Sequence, residues 1–562
     1  MECILDIILK YQLVVLVILY SSISAVQSDF APPVLEISNG WLQGTLQKSY
    51  NGRVYSSFQG IPYARPPIGD LRFETPKEPY NWTGMWVANT KQTCMYNTGS
   101  EITGDEDCLY LNVYVPREKP NPADNLNVIV HIHAGGMLVW DSNYYAGAKY
   151  LMDEEVVFVT MNYRLGALGF LSTDDDVVPG NNGLKDQVLS LEWIQKNIRY
   201  FGGNPESVML TGMSAGSVSV HLHYFSPLSR GLFHKGVSQS GTALHPLLPQ
   251  KTPSQSSKQL GEMLGCPTDK SRDLRDCLRT RSAKAIIIAQ KSFLPSDATQ
   301  GPTFGPVIEI PHDEAFLTDH PYKLLLDGNI ADVPWVVGTN EEEGSFIVHL
   351  SPLSVSDYFE IFDKIAPEML DYQDATDSEK QKITNSIKEY YFSEHGNEDI
   401  TPLIQLFTDR IIAGTHIAAK LQAKVNKSPV YSYLFGYRGQ HSFADYLLQN
   451  TNHIGPTHGD DVLYYLHGSI AEETLSEEDE NMKSIFLQWL INFAKTDQPK
   501  IDGKEWKRVN GGTVALECLY FDKIGDTHSQ ILEDLGANKL WSKLSINGYD
   551  KFKILNEIKD EL

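Results

Sequence analysis

The sequence of 562 residues lacks a linker: no Ser/Gly tract, Pro-rich spacer or internal repeat interrupts it. Length alone would suggest three or four domains. Without a linker, one large α/β domain with surface insertions is the better interpretation, and a chain of this size can bury a substantial core.

Positive charge is scarce, because 47 Lys and Arg residues stand against 71 Asp and Glu residues, for a formal net charge of −24. Such a chain repels polyanions, so nucleic acids and anionic membranes are poor partners. Neither His-Glu-x-x-His nor a paired Cys-x-x-Cys occurs, so a metal site is unsupported. The late part of the chain has no long apolar run, and we expect no transmembrane anchor.

The N-terminus carries an apolar run at residues 13–20, followed by mostly small residues at 21–28. This pattern is typical of a secretory signal peptide and is too short to span a bilayer as a mature helix. Glu2 and Asp6 offset the positive charge that such signals usually carry, and a buried N-terminal strand is the alternative. We predict a signal peptide over residues 1–28.

The last four residues, 559–562, read Lys-Asp-Glu-Leu, the signal that returns lumenal proteins to the endoplasmic reticulum. Together with a secretory N-terminus, this signal predicts residence in the lumen of the reticulum and binding to the retrieval receptor. If the signal is not used, the protein is secreted. The predicted organisation is a signal peptide at 1–28, one domain at 29–558 and a retrieval signal at 559–562.

Cysteine is sparse, with six residues in the chain. Cys94 and Cys108 bracket a short stretch, as do Cys266 and Cys277, so two local disulfides are expected in an oxidising compartment. Cys3 would be removed with the signal peptide, so Cys518 is left over and is expected to be a buried free thiol.

Two Asn-x-Ser/Thr sequons suit a lumenal protein. Asn81 begins Asn-Trp-Thr, and we predict that it is glycosylated. Asn426 begins Asn-Lys-Ser, but Pro429 follows directly, which makes the second site doubtful.

Apolar runs alternate with helical patterns through the middle of the chain. Residues 127–132 and 156–162 are nearly continuous apolar runs, as strands buried on both faces should be. Residues 184–200 have apolar positions at helical spacing, whereas residues 58–67 predict an irregular surface segment. Strands that alternate with helices predict an α/β fold, with a large, mostly parallel central sheet and helices on both faces.

Residues 212–216 read Gly-Met-Ser-Ala-Gly, between an apolar run and a helix-compatible run. This context predicts a nucleophile elbow, a strained turn that needs small flanking residues and exposes the hydroxyl of Ser214. The following N–H, that of Ala215, would then point at the carbonyl oxygen of a substrate. The motif by itself is weak, since it arises by chance in about one chain in five of this length, and a plain turn with an inert serine is the alternative.

A serine hydroxyl becomes a good nucleophile only beside a base, and in this architecture the acid and the base follow the serine in the chain. Three glutamates at 341–343 follow a predicted strand, and His458 lies in a glycine-flanked loop at 455–461. Histidine suits the base because its pKa lies near working pH. His-Ala-Gly-Gly at 133–136 follows another strand and can offer N–H groups to a developing alkoxide.

With these residues in hand, the chain resembles the type-B carboxylesterases of the cholinesterase-like α/β-hydrolase family, over roughly residues 34–541. A weaker likeness to arthropod esterases rests on Ser-Pro-Leu-Ser-Arg-Gly-Leu-Phe at 226–233. The other matching motifs are Phe-Gln-Gly-Ile-Pro-Tyr-Ala at 58–64, Glu-Asp-Cys-Leu-Tyr-Leu-Asn-Val at 106–113, Asn-Tyr-Arg-Leu-Gly at 162–166 and Phe-Gly-Gly-Asn-Pro at 201–205.

The resemblance implies a role for each matching position. Ser214 would be the nucleophile, His458 the base and Glu343 the acid, because the family's glutamate directly precedes a glycine. The remaining implied positions are the oxyanion N–H groups of Gly135, Gly136 and Ala215, a serine near the acid at Ser240, and the family disulfides Cys94–Cys108 and Cys266–Cys277.

Some positions depart from the family pattern. Met213 stands where many relatives have glutamate, Ala134 replaces the first glycine of the usual triplet, and Met137 replaces an aromatic residue. Trp140 is bulky near the predicted site mouth. The loop between the first two paired cysteines contains no tryptophan, which argues against choline esters as substrates.

The resemblance implies an α/β-hydrolase that cleaves small to medium lipophilic esters, xenobiotic or lipid-derived, through an acyl-enzyme and without a cofactor. One alternative is a juvenile-hormone esterase, although such enzymes typically carry glutamine at the position of Met213. Another is a catalytically silent adhesion or binding protein on the same scaffold; such relatives usually lose a catalytic residue. No sequence feature specifies an oligomeric state.

Overall fold

The computed structural model describes residues 31–99, 101–245, 250, 252–293, 303–350, 353–370, 372–394, 396, 399–448, 455–468, 475–534, 536–544 and 546. The predicted signal peptide and the predicted retrieval signal lie outside the described residues. Both therefore stay predictions, as does the division of the chain that they define.

Most strands of the described residues are short, and the longest two are β4 and β11. The strands are β1 (Val34–Ile37), β2 (Gly40–Gln43), β3 (Thr45–Lys48), β4 (Val54–Pro62), β5 (Met85–Val87), β6 (Tyr96–Asn97), β7 (Ile102–Thr103), β8 (Tyr110–Val115), β9 (Leu126–Ile132), β10 (Val156–Met161), β11 (Gly203–Met213), β12 (Lys235–Gln239), β13 (Trp335–Asn340), β14 (Val430–Phe435), β15 (Lys500–Ile501), β16 (Lys504–Glu505), β17 (Leu516–Phe521) and β18 (Thr527–Leu532).

One sheet contains eleven of these strands, in the order β18-β17-β14-β13-β12-β11-β9-β10-β8-β4-β3. The strands from β17 to β10 in this order run parallel, and the strands at both edges pair antiparallel. Parallel neighbours need crossover connections, which the helices supply. Ile132 at the end of β9 lies opposite Gly212 of β11, so the loops after these strands begin side by side.

The described helices lie between the strands of the large sheet or in insertions. They are α1 (Gly166–Phe170), α2 (Asn182–Asn197), α3 (Ala215–Phe225), α4 (Pro253–Met263), α5 (Ser271–Thr280), α6 (Ala283–Gln290), α7 (Pro321–Leu326), α8 (Glu343–Leu350), α9 (Val355–Met369), α10 (Asp377–Tyr391), α11 (Thr401–Val425), α12 (Phe443–Leu448), α13 (Glu477–Thr496) and α14 (Asn538–Trp541).

The large sheet separates two hydrophobic cores, one on each face. Val128 and Val130 of β9 pack in a core that includes residues of α2, α3 and α11. Ile129, between them, packs in a second core that includes Phe486 and Trp489 of α13. Alternate side chains of one strand therefore point to opposite cores, which explains the continuous apolar run in its sequence. This arrangement confirms the predicted α/β fold with helices on both faces.

The predicted irregular segment at 58–67 is wrong in its first part. Residues up to Pro62 belong to β4, a buried strand between β3 and β8. Gly60 interrupts the apolar pattern because it forms a bulge, with φ of 79° and a shift of register between Gln59 and Ile61. Glycine is the residue that such a bulge accepts most easily.

Both predicted disulfides are present, Cys94–Cys108 and Cys266–Cys277, and Cys518 is a buried free thiol. The disulfides are consistent with a protein of the secretory pathway or the extracellular space. Among the described helices, none is both long and apolar enough to cross a membrane.

Candidate active site

Ser214 lies at the sharp turn between β11 and α3, where the sequence predicted an elbow. Its backbone has φ of 56° and ψ of −119°, an unusual conformation for a residue with a side chain. The residue is half-buried, whereas its neighbours on both sides are buried. The turn is anchored by the Ser214 N–H, which donates to the Gln239 carbonyl of β12 at 2.9 Å.

The glycines of the elbow are required by backbone packing. A methyl group on Gly216 would overlap the carbonyl oxygen of Ile132 at the end of β9, and one on Gly212 would overlap the backbone of Gly216. Neither neighbour is a flexible side chain that could move aside. The Gly-x-Ser-x-Gly pattern is therefore the sequence signature of α3 packing directly on the end of β9.

Three N–H groups beside the elbow have no partner among the described residues: those of Gly135, Gly136 and Ala215. The N–H of Ala134, in contrast, donates a hydrogen bond to the Tyr145 hydroxyl at 2.8 Å. Unpaired N–H groups in a partly open loop are what an oxyanion hole needs. The alanine at position 134 thus carries an N–H group that serves the fold.

The loop after these glycines holds two further residues in the left-handed region, Met137 with φ of 61° and Trp140 with φ of 76°. Residues with side chains rarely occupy this region, and those that do are often found at functional sites. The Met137 carbonyl accepts from the Gly166 N–H at 2.8 Å, and the ring of Trp140 stacks on Tyr144 with centroids 4.9 Å apart. Trp140 is half-buried, so the bulky residue predicted near the mouth is held by an aromatic neighbour.

Glu343 and His458 form a hydrogen-bonded pair, with Oε2 2.6 Å from Nδ1. The Glu343 side chain is fully buried, and that of His458 is 11 % exposed. The other carboxylate oxygen, Oε1, accepts from the Ser240 hydroxyl at 2.6 Å and from the Asn340 N–H at 2.7 Å. Both oxygens are thus engaged, which fixes the plane of the carboxylate and the orientation of the imidazole.

The other two glutamates of the run have different partners. Glu342 accepts from the Gly455 N–H at 3.0 Å, and Glu341 accepts from the Tyr520 hydroxyl at 3.2 Å. The ambiguity of three adjacent glutamates in the sequence is absent from the geometry, because Glu343 is the one that bonds to the imidazole.

The histidine loop is held by polar contacts. The Asp460 carboxylate accepts from the N–H groups of Thr457 and Phe443, at 2.9 and 2.8 Å, and from the Ser442 hydroxyl. Ser345 of α8 bonds to the Thr457 hydroxyl at 2.6 Å. Burial raises the pKa of Asp460 to about 7, although its hydrogen bonds oppose the shift.

The serine elbow and the histidine loop meet through Met213. The side chain of Met213 is buried and reaches the Cα position of Gly459, directly after His458, so closely that a methyl group there would meet its Cε at 2.7 Å. The Phe346 ring packs against the imidazole of His458, with centroids 5.3 Å apart. Beside the serine, this chain therefore places an apolar contact between the two loops.

A second buried carboxylate, Asp461, lies behind the pair, and sequence analysis gave it no role. It accepts from Gln239 at 2.9 Å, from Asn340 at 3.2 Å and from the Tyr433 hydroxyl. Burial raises the pKa of Asp461, and the nearby Glu343 adds to the shift. Asn340 thus connects the two carboxylates. The only signal in the sequence was the acidic pair that follows His458.

No group of metal-ligating side chains occurs in the described part of the chain. His221 and His223 of α3 are fully buried and bonded to fixed partners, His221 to Gln422 at 3.0 Å and His223 to Gln187 at 3.0 Å. Burial lowers the pKa of each to about 3. They are structural histidines, fixed by side-chain hydrogen bonds in the core.

A parallel sheet flanked by helices, with a serine elbow after its central strand, defines an α/β-hydrolase. The profile of the Carboxylesterase family matches residues 31–528. The chain therefore belongs to the carboxylesterase family, and it is a serine hydrolase of carboxylic esters.

Individual relatives agree with this assignment. Esterase FE4 of Myzus persicae is 38 % identical over 520 residues, 89 % of this chain and 90 % of that one. Venom carboxylesterase-6 of Apis mellifera is 35 % identical and covers 92 % of this chain and 95 % of its own. The crystal structure of juvenile hormone esterase from Manduca sexta, with OTFP covalently attached, superimposes with a TM-score of 0.81 at 26 % identity, over 94 % of this chain and all of that one. These relatives do not favour the silent adhesion protein.

Proposed function

We propose that Ser214 is the nucleophile of ester hydrolysis, that His458 is its general base and that Glu343 orients the imidazole. Ser240 positions the Glu343 carboxylate by donating to Oε1. The observation that carries this proposal is the 2.6 Å bond between Glu343 and Nδ1 of His458, in a loop packed through Met213 against the serine elbow. With Nδ1 bonded to the carboxylate, Nε2 is the nitrogen left for proton transfer.

The reaction proceeds in two halves. Ser214 Oγ attacks the ester carbonyl as His458 takes its proton, and the oxyanion that forms is bound by the N–H groups of Gly135, Gly136 and Ala215. Collapse breaks the bond to the alcohol, which leaves with the proton from His458. Water, which gives a proton to His458, then attacks the acyl-enzyme; the bond between the acyl carbon and Ser214 Oγ breaks, Oγ takes the proton back, and the carboxylic acid is released.

Covalent labelling tests the nucleophile directly. An organophosphate with a good leaving group phosphorylates an activated serine, so the wild-type protein should gain one adduct, mapped by mass spectrometry to the peptide with Ser214. Ser214→Ala should gain none. Labelling of a different serine, or turnover of a short-chain aryl ester by Ser214→Ala at the wild-type rate, would reject the assignment.

We infer that the substrates are small to medium lipophilic esters. The second candidate function is that of a juvenile-hormone esterase. The structural likeness to the Manduca sexta enzyme supports this candidate. The juvenile hormone esterase of Tribolium castaneum is 34 % identical, less than the 38 % of Esterase FE4. The ratio of kcat/KM for juvenile hormone to that for aryl esters of graded acyl length separates the two, and a large preference for the hormone would reject the general esterase.

We propose in addition that residues 1–28 direct the chain into the secretory pathway, that Asn81 is glycosylated there, and that residues 559–562 bind the retrieval receptor. The disulfides support an oxidising compartment. Deletion of 559–562 should move the protein from cell lysate to medium. Retention of the truncated protein inside the cell would reject the retrieval signal.

A further inference from the structure

The small sheet formed by β1, β2 and β5 has an outer face on which four of the six paired residues are apolar. Its two cross-strand rows are Glu36–Trp41–Met85 and Val34–Gln43–Val87. All four apolar residues of these rows are exposed, by 41 to 51 % of their surface, whereas Leu42 on the opposite face is buried. Isolated exposed apolar residues are ordinary, but a set of them on one sheet face is typical of a surface that another group contacts.

Asn81 lies beside one end of this small sheet. This is the end at which Trp41 pairs with Met85. Its Oδ1 accepts from the Asn39 side chain at 3.1 Å, in the turn between β1 and β2. The N–H of the next residue, Trp82, donates to the Asn39 carbonyl at 2.9 Å, and the Trp82 indole donates to the Trp41 carbonyl at 2.9 Å. The start of the sequon is thus fixed to the edge of the apolar face.

The side-chain orientation leaves the reactive nitrogen of Asn81 available. Its oxygen is bonded to the turn, and no group of the described residues bonds to Nδ2, the atom that carries an N-linked glycan. Asn81 and Thr83 are both exposed. In the folded chain, Asn81 would therefore carry a glycan without losing its hydrogen bond to Asn39.

We propose that an N-linked glycan on Asn81 lies over the outer face of the β1–β2–β5 sheet and shields Trp41 and Met85 from water. Sugar rings present C–H groups on one face, and these pack favourably on the electron-rich face of an indole. The same glycan keeps a flat apolar surface from associating with other chains. The proposal rests on the entry into the secretory pathway proposed above.

The second sequon provides a natural contrast. Nδ2 of Asn426 donates to the Ala331 carbonyl at 3.1 Å, and the Ser428 hydroxyl donates to the Asp332 carbonyl at 3.0 Å. Both sequon side chains are therefore engaged in holding their loop. With Pro429 directly behind it, Asn426 should remain unmodified where Asn81 is occupied.

The test uses the full chain expressed in a secretory host. Glycopeptide mapping should find Asn81 occupied and Asn426 unoccupied. Thr83→Ala removes the sequon but keeps the bond between Asn81 and Asn39, and Thr83→Ser keeps the sequon as the matched control. Thr83→Ala should bind more of an apolar fluorescent dye and lower Tm by about 1–2 °C, whereas Thr83→Ser should match the wild type.

Trp41→Thr shows whether the glycan acts through the apolar face. If it does, Thr83→Ala should have a smaller effect in the Trp41→Thr background, so the two changes are not additive. An unoccupied Asn81 would overturn the modification. Additive effects, or a wild-type dimer that buries this face while Asn81 is glycosylated, would overturn the shielding. Ester hydrolysis should be unchanged in every variant, so the catalytic proposal stands or fails separately.

Discussion

The two loops that carry Ser214 and His458 are held by different forces. The serine elbow is fixed by backbone packed on backbone, because Gly212 and Gly216 leave no room for a side chain. The histidine loop is fixed by hydrogen bonds to the Asp460 carboxylate, which accepts from two backbone N–H groups and from the Ser442 hydroxyl. The first arrangement is sensitive to side-chain size, and the second is sensitive to protonation.

In the proposed mechanism, this difference gives the nucleophile a fixed position and gives the base a fixed orientation. A nucleophile needs a fixed position, and close backbone packing supplies it without any titratable group. A general base must keep its orientation when it gains and loses a proton. The buried carboxylates of Glu343 and Asp461, with their hydrogen bonds, hold the imidazole in place. The loops meet through an apolar contact, Met213 on Gly459, so neither loop depends on a charge in the other.

The largest expected effect comes from breaking the chemical connection between the two loops. Ser214→Ala and His458→Ala should each lower kcat on a short-chain aryl ester by about 10⁴- to 10⁶-fold, because neither group acts without the other. The double variant should be no worse than either single variant. Independent, multiplying losses would show that the two side chains do not work as one unit.

Glu343→Gln should have the next largest effect. The amide keeps the shape of the carboxylate but not its charge, and it no longer fixes the imidazole in the tautomer that can accept the serine proton. A loss in kcat of about 10²- to 10⁴-fold is expected. Glu341→Gln is the matched control in the same run of glutamates and should be near wild type. Equal losses in both variants would point to a general effect of charge.

Backbone packing predicts a different response to an added methyl group in each loop. Gly216→Ala should destabilise the fold by about 2–3 kcal/mol, because the fixed Ile132 carbonyl stands in the way. Gly459→Ala meets the flexible end of Met213, with the Phe443 ring in ordinary contact at 3.4 Å, and has a φ of 89°, so about 1–2 kcal/mol is expected. Thermal unfolding of both variants measures the order, and the reverse order would refute the contrast between the loops.

The sequence predicted the serine elbow well because its determinants are local. Gly212, Ser214 and Gly216 lie within five residues, and each is required by the same turn. The parallel sheet was equally predictable, since strands such as β9 and β10 are continuous apolar runs. Where a strand contains a bulge, as β4 does at Gly60, the local pattern resembled a loop and the prediction was wrong.

The carboxylate network could not be predicted in the same way. Asp461 bonds to Gln239 and Asn340, residues far away in the chain, and nothing in their neighbours indicates a shared site. The choice of Glu343 among three glutamates came from family resemblance, and the bond to His458 supplies a physical reason for it. Such contacts follow from strand order, which brings the carboxyl ends of β12 and β13 together.

The smallest expected effect is a dependence of stability on pH that originates in the histidine loop. The pKa of Asp460 is raised by burial from 3.8 to about 7, so the folded state binds its proton more tightly than the unfolded state does. Its contribution to stability is therefore fully present below about pH 4 and is lost as pH rises through 7. Asp460→Asn removes this titration, so the Tm of the wild type minus that of the variant should be higher at pH 5 than at pH 8, by about 2 °C. The serine elbow has no titratable anchor, and the Tm gap between wild type and Gly216→Ala should be the same at both pH values. A constant gap for Asp460→Asn would mean that its carboxylate stays ionised in the folded loop, and that hydrogen bonding outweighs burial there.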